Sequence, residues 1–105
     1  MKVLIVEDDF VSRRLMQGIL SPYGICHVAV NGREAVEAFK IAINELDPYQ
    51  LICLDIMMPE MDGHEALREI RRFEEEEGIT SRVKVIMTTA LNDPQTIMKS
   101  NVRIT

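Results

Sequence analysis

Four short apolar runs alternate with segments whose apolar residues recur at helical spacing. The runs are KVLIV at Lys2–Val6, ICHVAV at Ile25–Val30, LICLD at Leu51–Asp55 and VKVIMT at Val83–Thr88. All four read as strands; Lys2–Val6, rich in β-branched residues, and Leu51–Asp55 read as strands buried on both faces. Strand and helix in strict alternation predict a parallel sheet with helices on both faces, joined by right-handed crossovers.

The intervening segments carry their own punctuation. Val11, Leu15 and Ile19, with Met16 and Leu20, mark a first helix that Pro22-Tyr23-Gly24 ends. Asn31-Gly32 opens a second, with Ala35, Val36, Phe39, Ala42 and Ile43 on its apolar face and Asp47-Pro48 closing it. Ala66, Leu67, Ile70 and Phe73 mark a third, and Gly78 ends it. Asp93-Pro94 reads as an N-cap followed by proline at the first helical position, opening a short helix to about Ser100. The run Glu74–Glu77 lies on the third helix, one turn after Arg71 and Arg72, and reads as a solvated face.

A chain of 105 residues makes one domain. Its net charge of −5 argues against a surface for nucleic acid, since nothing would neutralise phosphates in bulk. No apolar run reaches the roughly 20 residues of a membrane span, and the first residues do not form a signal peptide, so the expected location is cytoplasmic with no membrane contact. Cys26 and Cys53 lie in strand-like runs without metal-binding spacing and read as two buried thiols.

The chemistry gathers where the strands end. In an open α/β sheet the ligand site lies beyond the carboxyl ends of the strands. The first strand ends in Glu7-Asp8-Asp9, the third in Asp55, the fourth in Thr88-Thr89-Ala90. If the first and third strands are neighbours, Glu7, Asp8 and Asp55 converge. Packed carboxylates repel, so their pKa values rise or a hard cation binds. Oxygen ligands without histidine or cysteine suit Mg²⁺ and argue against zinc. Asp9 alone reads as a helix cap. A carboxylate beside magnesium can attack a phosphoryl group and form an acyl phosphate. Asp55, the single acid at the tip of the most apolar strand, is the candidate. Thr89 offers a hydroxyl to a phosphoryl oxygen, Ala90 a backbone N–H, and Met57 a backbone carbonyl to the metal.

IVEDD at residues 5–9, LDIMMPEMDG at 54–63 and MTTA at 87–90, in this order and at these separations, resemble the receiver domain of two-component response regulators, including the chemotaxis receivers. The resemblance implies a flavodoxin-like, doubly wound parallel sheet of strand order 2-1-3-4-5. Strands two and three would flank strand one, leaving Cys26 and Cys53 too far apart for a disulfide. It also implies Asp55 as phosphoacceptor from a sensor histidine kinase or a phosphotransfer protein. Asp8, Asp55 and the Met57 carbonyl would bind Mg²⁺ directly, with Glu7 acting through water and Thr89 as the switch hydroxyl. The first helix, with Arg13 and Arg14, would dock the kinase. His27 and His64 match no functional position, and Asp62 and Gly63 read as turn and cap. Such a chain is not an enzyme, beyond Mg²⁺-dependent self-phosphorylation and self-dephosphorylation.

Residues 1–105 read as a single receiver domain without the usual C-terminal strand–helix unit, so the family's phosphate-pairing lysine on strand five has no counterpart. Lys84 lies at the wrong end of strand four, and Lys99 would have to reach inward. Strand four would then be a sheet edge that invites a dimer, unless Val102–Thr105 pairs with it as a substitute fifth strand. A connection of about a dozen residues is near the minimum for a parallel crossover. Two competing readings remain: a non-phosphorylated interaction module of the same fold, favoured by the missing lysine, and a magnesium-dependent phosphohydrolase. The latter usually carries a second acid two residues after the nucleophile, where Met57 stands here. Met57 and Leu91 are apolar where an attacking water would be oriented, which predicts slow loss of phosphate.

Overall fold

The computed structural model describes residues 1–58, 60–88 and 102–104. Chain order is β1 (Lys2–Val6), α1 (Phe10–Leu20), a 3₁₀ turn (Ser21–Tyr23), β2 (Ile25–Ala29), α2 (Gly32–Asn44), β3 (Leu51–Asp55), α3 (Gly63–Glu76), β4 (Lys84–Thr88) and β5 (Val102–Ile104). These elements follow the sequence pattern to within a residue or two at each end. The helix expected from Asp93 to about Ser100 lies outside the described residues.

The sheet order is β2-β1-β3-β4-β5. β1, β2, β3 and β4 are parallel, with Val3 beside Cys26 and Leu51, and Leu54 beside Met87. β5 pairs with β4 antiparallel, Ile86 opposite Ile104 and Thr88 opposite Val102. The expected substitute strand is therefore there, but its direction corrects the parallel crossover. An antiparallel partner needs no crossover, whereas a parallel return strains so short a connection. β5 also occupies the edge of β4 at Ile86–Thr88, the edge on which the expected strand-four dimer rested.

The side chains of successive strand residues point to opposite faces. Leu4, Val6, Ile52, Leu54, Val85 and Met87 pack with Ala35, Val36, Phe39 and Ala42 of α2 and Ala66 and Ile70 of α3. Val3, Ile5 and Cys53 are buried on the other face, toward α1. Cys26 and Cys53 are free and sit on opposite sides of β1, beside Val3 and Ile5. Two strand spacings, roughly 9–10 Å, exceed the reach of a disulfide. Cys53 is buried, and burial pushes its thiol up to about 11. Cys26 is only half-buried, because β2 is the sheet edge.

The structure settles one helix face that periodicity left open and corrects the reading of another. Val11, Leu15 and Ile19 form an exposed stripe on α1, while Ser12 is its buried residue. Glu74 is not solvated but 2% exposed. Its carboxylate accepts from Arg71 Nη1 at 2.7 Å and from the Val83 N–H at 2.8 Å. That tie fixes the entry to β4, so the first acid of the run is structural and the following ones remain at the surface.

Candidate functional site

Each acid owes its position to a short local device. The Val6–Leu54 register leaves the next residues, Glu7 and Asp55, side by side at the carboxyl edge of the sheet. Beyond β1, the Glu7 N–H donates to the Ala29 carbonyl at 3.1 Å; beyond β3, the Ile56 N–H donates to the Thr88 carbonyl at 2.9 Å. Strand pairing thus runs through the acid positions and holds them. Asp9 then caps α1, accepting from the Ser12 N–H at 2.8 Å, as its isolated position predicted. Asp62 caps α3 in the same way, accepting from the Glu65 N–H at 2.9 Å.

Glu7, Asp8 and Asp55 each bring a carboxylate oxygen to within 4.8 Å of the others. Glu7 and Asp55 are buried, Asp8 exposed. Asp55 ends β3 at the mouth of the sheet, but at 7% exposure it is more enclosed than its terminal place suggested. The Met57 N–H donates to Asp55 Oδ1 at 3.2 Å, which draws the backbone of the following loop against the carboxylate. The Met57 side chain points outward, 75% exposed.

The electrostatics are those of a site that wants a cation. Burial is the main force that pushes the Glu7 carboxyl up to about 8. The Asp9 N–H, donating to Glu7 Oε1 at 3.0 Å, opposes that rise. The charge of Asp55 and hydrogen bonds with Asp55 and Asp8 add to it. Burial likewise raises the Asp55 carboxyl, against hydrogen bonds from Glu7 and the Met57 N–H; the Asp8 charge raises it further. Burial and the neighbouring carboxylates thus make a proton harder to remove from Glu7 and Asp55 than from free carboxyls. An oxygen-only set containing three acids fits a hard divalent cation such as Mg²⁺, which would relieve that penalty.

The other expected residues are distributed as follows. Thr89 and Ala90 lie outside the described residues, as do Leu91 and Lys99. Arg13 donates from Nη1 to the Glu7 carbonyl at 3.1 Å and stacks over the Phe10 ring at 5.6 Å, so it braces the β1–α1 turn; Arg14 is exposed. His27 Nδ1 lies 2.7 Å from the Tyr49 hydroxyl, away from the acids, and His64 is exposed at the start of α3. Sequence reasoning missed the Tyr49 anchor, which also has Lys2 Nζ over its ring at 4.6 Å. It also missed Gly32, whose N–H donates to the Met61 carbonyl at 3.1 Å, tying α2 to the loop after Asp55. The Asn-Gly pair was visible, but only as a helix start.

Comparison with known proteins gives this arrangement a context. The response regulator receiver domain model matches residues 3–102. The chemotaxis protein CheY of Thermotoga maritima is 34% identical over 101 residues, 94% of this chain and 75% of that protein. Histidine kinase CKI1 of Arabidopsis thaliana is 34% identical over 92 residues, and the chain spans only 8% of that kinase. The CKI1 receiver domain solved with Mg²⁺ and BeF3⁻ superposes with a TM-score of 0.74 at 31% identity, covering 96% of this chain and 76% of that one. Acids on neighbouring strand ends, the 2-1-3-4 order of the parallel strands and these matches lead to one conclusion: the chain belongs to the response regulator receiver domain family.

Proposed function

We propose that this receiver domain takes a phosphoryl group onto Asp55 from the phosphohistidine of a histidine kinase or phosphotransfer protein in the cytoplasm. The observation that carries this reading is the convergence of Glu7, Asp8 and Asp55 within 4.8 Å at the sheet's carboxyl edge. Asp8, Asp55 and the Met57 carbonyl would hold Mg²⁺, with Glu7 behind them. The ion supplies charge neutralisation for the phosphoryl oxygens. Asp55 attacks phosphorus, the P–N bond to the donor imidazole breaks, and the imidazole leaves with the bond pair. The Met57 N–H keeps Asp55 Oδ1 oriented. The exposed Val11–Leu15–Ile19 stripe on α1, with Arg14 beside it, offers a docking face for the donor helix. The chain acts as phosphoacceptor and not as an enzyme on other substrates.

Acetyl phosphate with MgCl₂, followed by Phos-tag electrophoresis, tests the reading. The expected result is a retarded band that is lost in Asp55→Asn and on addition of EDTA. A chain that stays unshifted under these conditions is instead an interaction module of the same fold. Continuous turnover of a phosphoester would make it a phosphohydrolase.

A further inference from the structure

The loop after Asp55 carries Met57 and runs to Asp62 before α3 begins. At its far end the Gly63 N–H donates to the Ile56 carbonyl at 2.9 Å, closing the loop on itself. Its first residue is tied to β4 by the Ile56 N–H to Thr88 carbonyl bond, and its far end to α2 by the Gly32 N–H to Met61 carbonyl bond at 3.1 Å. Gly32 is the first residue of α2, so its N–H is one of the donors that have no partner inside the helix. The contact requires glycine. A Cβ at residue 32 would stand 2.2 Å from the Met61 oxygen and 2.9 Å from its carbonyl carbon. By contrast, a Cβ at Gly18 would meet nothing.

The tie has something to restrain. Glu60, next to Met61, adopts φ 66, a left-handed conformation that non-glycine residues hold only when neighbours impose it. The Met61 side chain packs against the core, and its carbonyl is fixed by α2. We infer that Gly32 is a positioning residue for the magnesium site: by admitting the Met61 carbonyl it holds residues 60–62 in place, and through the loop the Met57 carbonyl. This rests on the reading of Asp55 and Met57 as magnesium ligands. Gly32 touches neither the metal nor the phosphoryl group; it acts through the loop.

Calorimetric titration with MgCl₂ tests this on three chains. Asn31→Ala removes the side-chain cap on the Glu34 N–H at the same helix end, and so reports ordinary damage to α2. Gly32→Ala is expected to weaken Mg²⁺ binding by roughly three- to tenfold, less than the roughly 10–100-fold lost with an immediate partner of a ligand. Asn31→Ala is expected to stay within about twofold of the unmodified chain. Equal affinities in the two variants overturn the inference while leaving the site reading intact. No Mg²⁺ binding by the unmodified chain removes both. A second measurement needs no variant. Coupling is reciprocal, so saturating MgCl₂ must slow amide exchange at Gly32 by about the same factor. Gly32 exchange unchanged by MgCl₂ overturns the inference whether or not Gly32→Ala folds.

Discussion

Glu7→Gln separates the cost of the acid cluster from the rest of the fold. In the metal-free protein the Glu7 carboxyl stands at about 8 against an ordinary 4.5. Between those values the folded state holds a proton that the unfolded chain has released, so stability falls as pH rises from about 5 to 8. Below 4.5 both states are protonated and the full stability is present. Above 8 both are ionised and the penalty is constant. Asp55 is raised as well and adds to the same trend. Asp9 is lowered by its bonds to Ser12, so its contribution is lost only in acid, below the ordinary carboxylate range. At about 1.4 kcal/mol per pH unit the Glu7 interval sets a ceiling near 5 kcal/mol. Exposed Asp8 admits water to the cluster, which raises the effective dielectric and reduces the expectation to about 2 kcal/mol. Urea unfolding followed by circular dichroism in EDTA should show the midpoint falling by about 1 M from pH 5 to pH 8. Glu7→Gln should remove most of that slope, and Mg²⁺ should reverse it in the unmodified chain. A metal-free midpoint that is flat across this range, or an equal slope in Glu7→Gln, refutes the reasoning.

Other sites give sharper single outcomes. Gly63→Ala places a Cβ 2.4 Å from the Asp55 carbonyl oxygen and 2.8 Å from the Ile56 Cα, both backbone, and should cost about 2–3 kcal/mol in chemical denaturation. Glu74→Ala strands the Val83 N–H and Arg71 and should cost about 3 kcal/mol, whereas Glu74→Gln keeps the backbone acceptor and should cost about half that. Leu46, two residues past the end of α2, has φ 60 and 90% exposure, so Leu46→Gly should raise the melting temperature by a few degrees, about 0.5–1 kcal/mol. Met57→Asn puts a polar side chain, in place of an exposed apolar one, two residues after Asp55; once the chain is phosphorylated, loss of phosphate followed on Phos-tag gels should accelerate.

The parallel sheet was legible because Lys2–Val6 and Leu51–Asp55 are too apolar and too short for anything but strands buried on both faces, and the segments between them have helical period. The caps were legible because Asp9, Asn31 and Asp62 each sit immediately before a helical run and act on the N–H three residues ahead. The exposed stripe on α1 was not, since periodicity marks an apolar face without saying what covers it. Glu74 looked like its neighbours in an acidic run; only the docking of α3 beside the start of β4 makes it a buried acceptor for Val83.

Local pattern therefore determined the elements, their caps and the presence of acids at two strand ends, because each depends on a few neighbouring residues. Tertiary structure decided the rest through long-range approach: the β1–β3 register that brings Glu7 and Asp8 to Asp55, the antiparallel return of β5, and the seat of the Met61 carbonyl on Gly32. Such contacts join residues tens of positions apart, and their energy lies in distances and burial that no local spacing encodes.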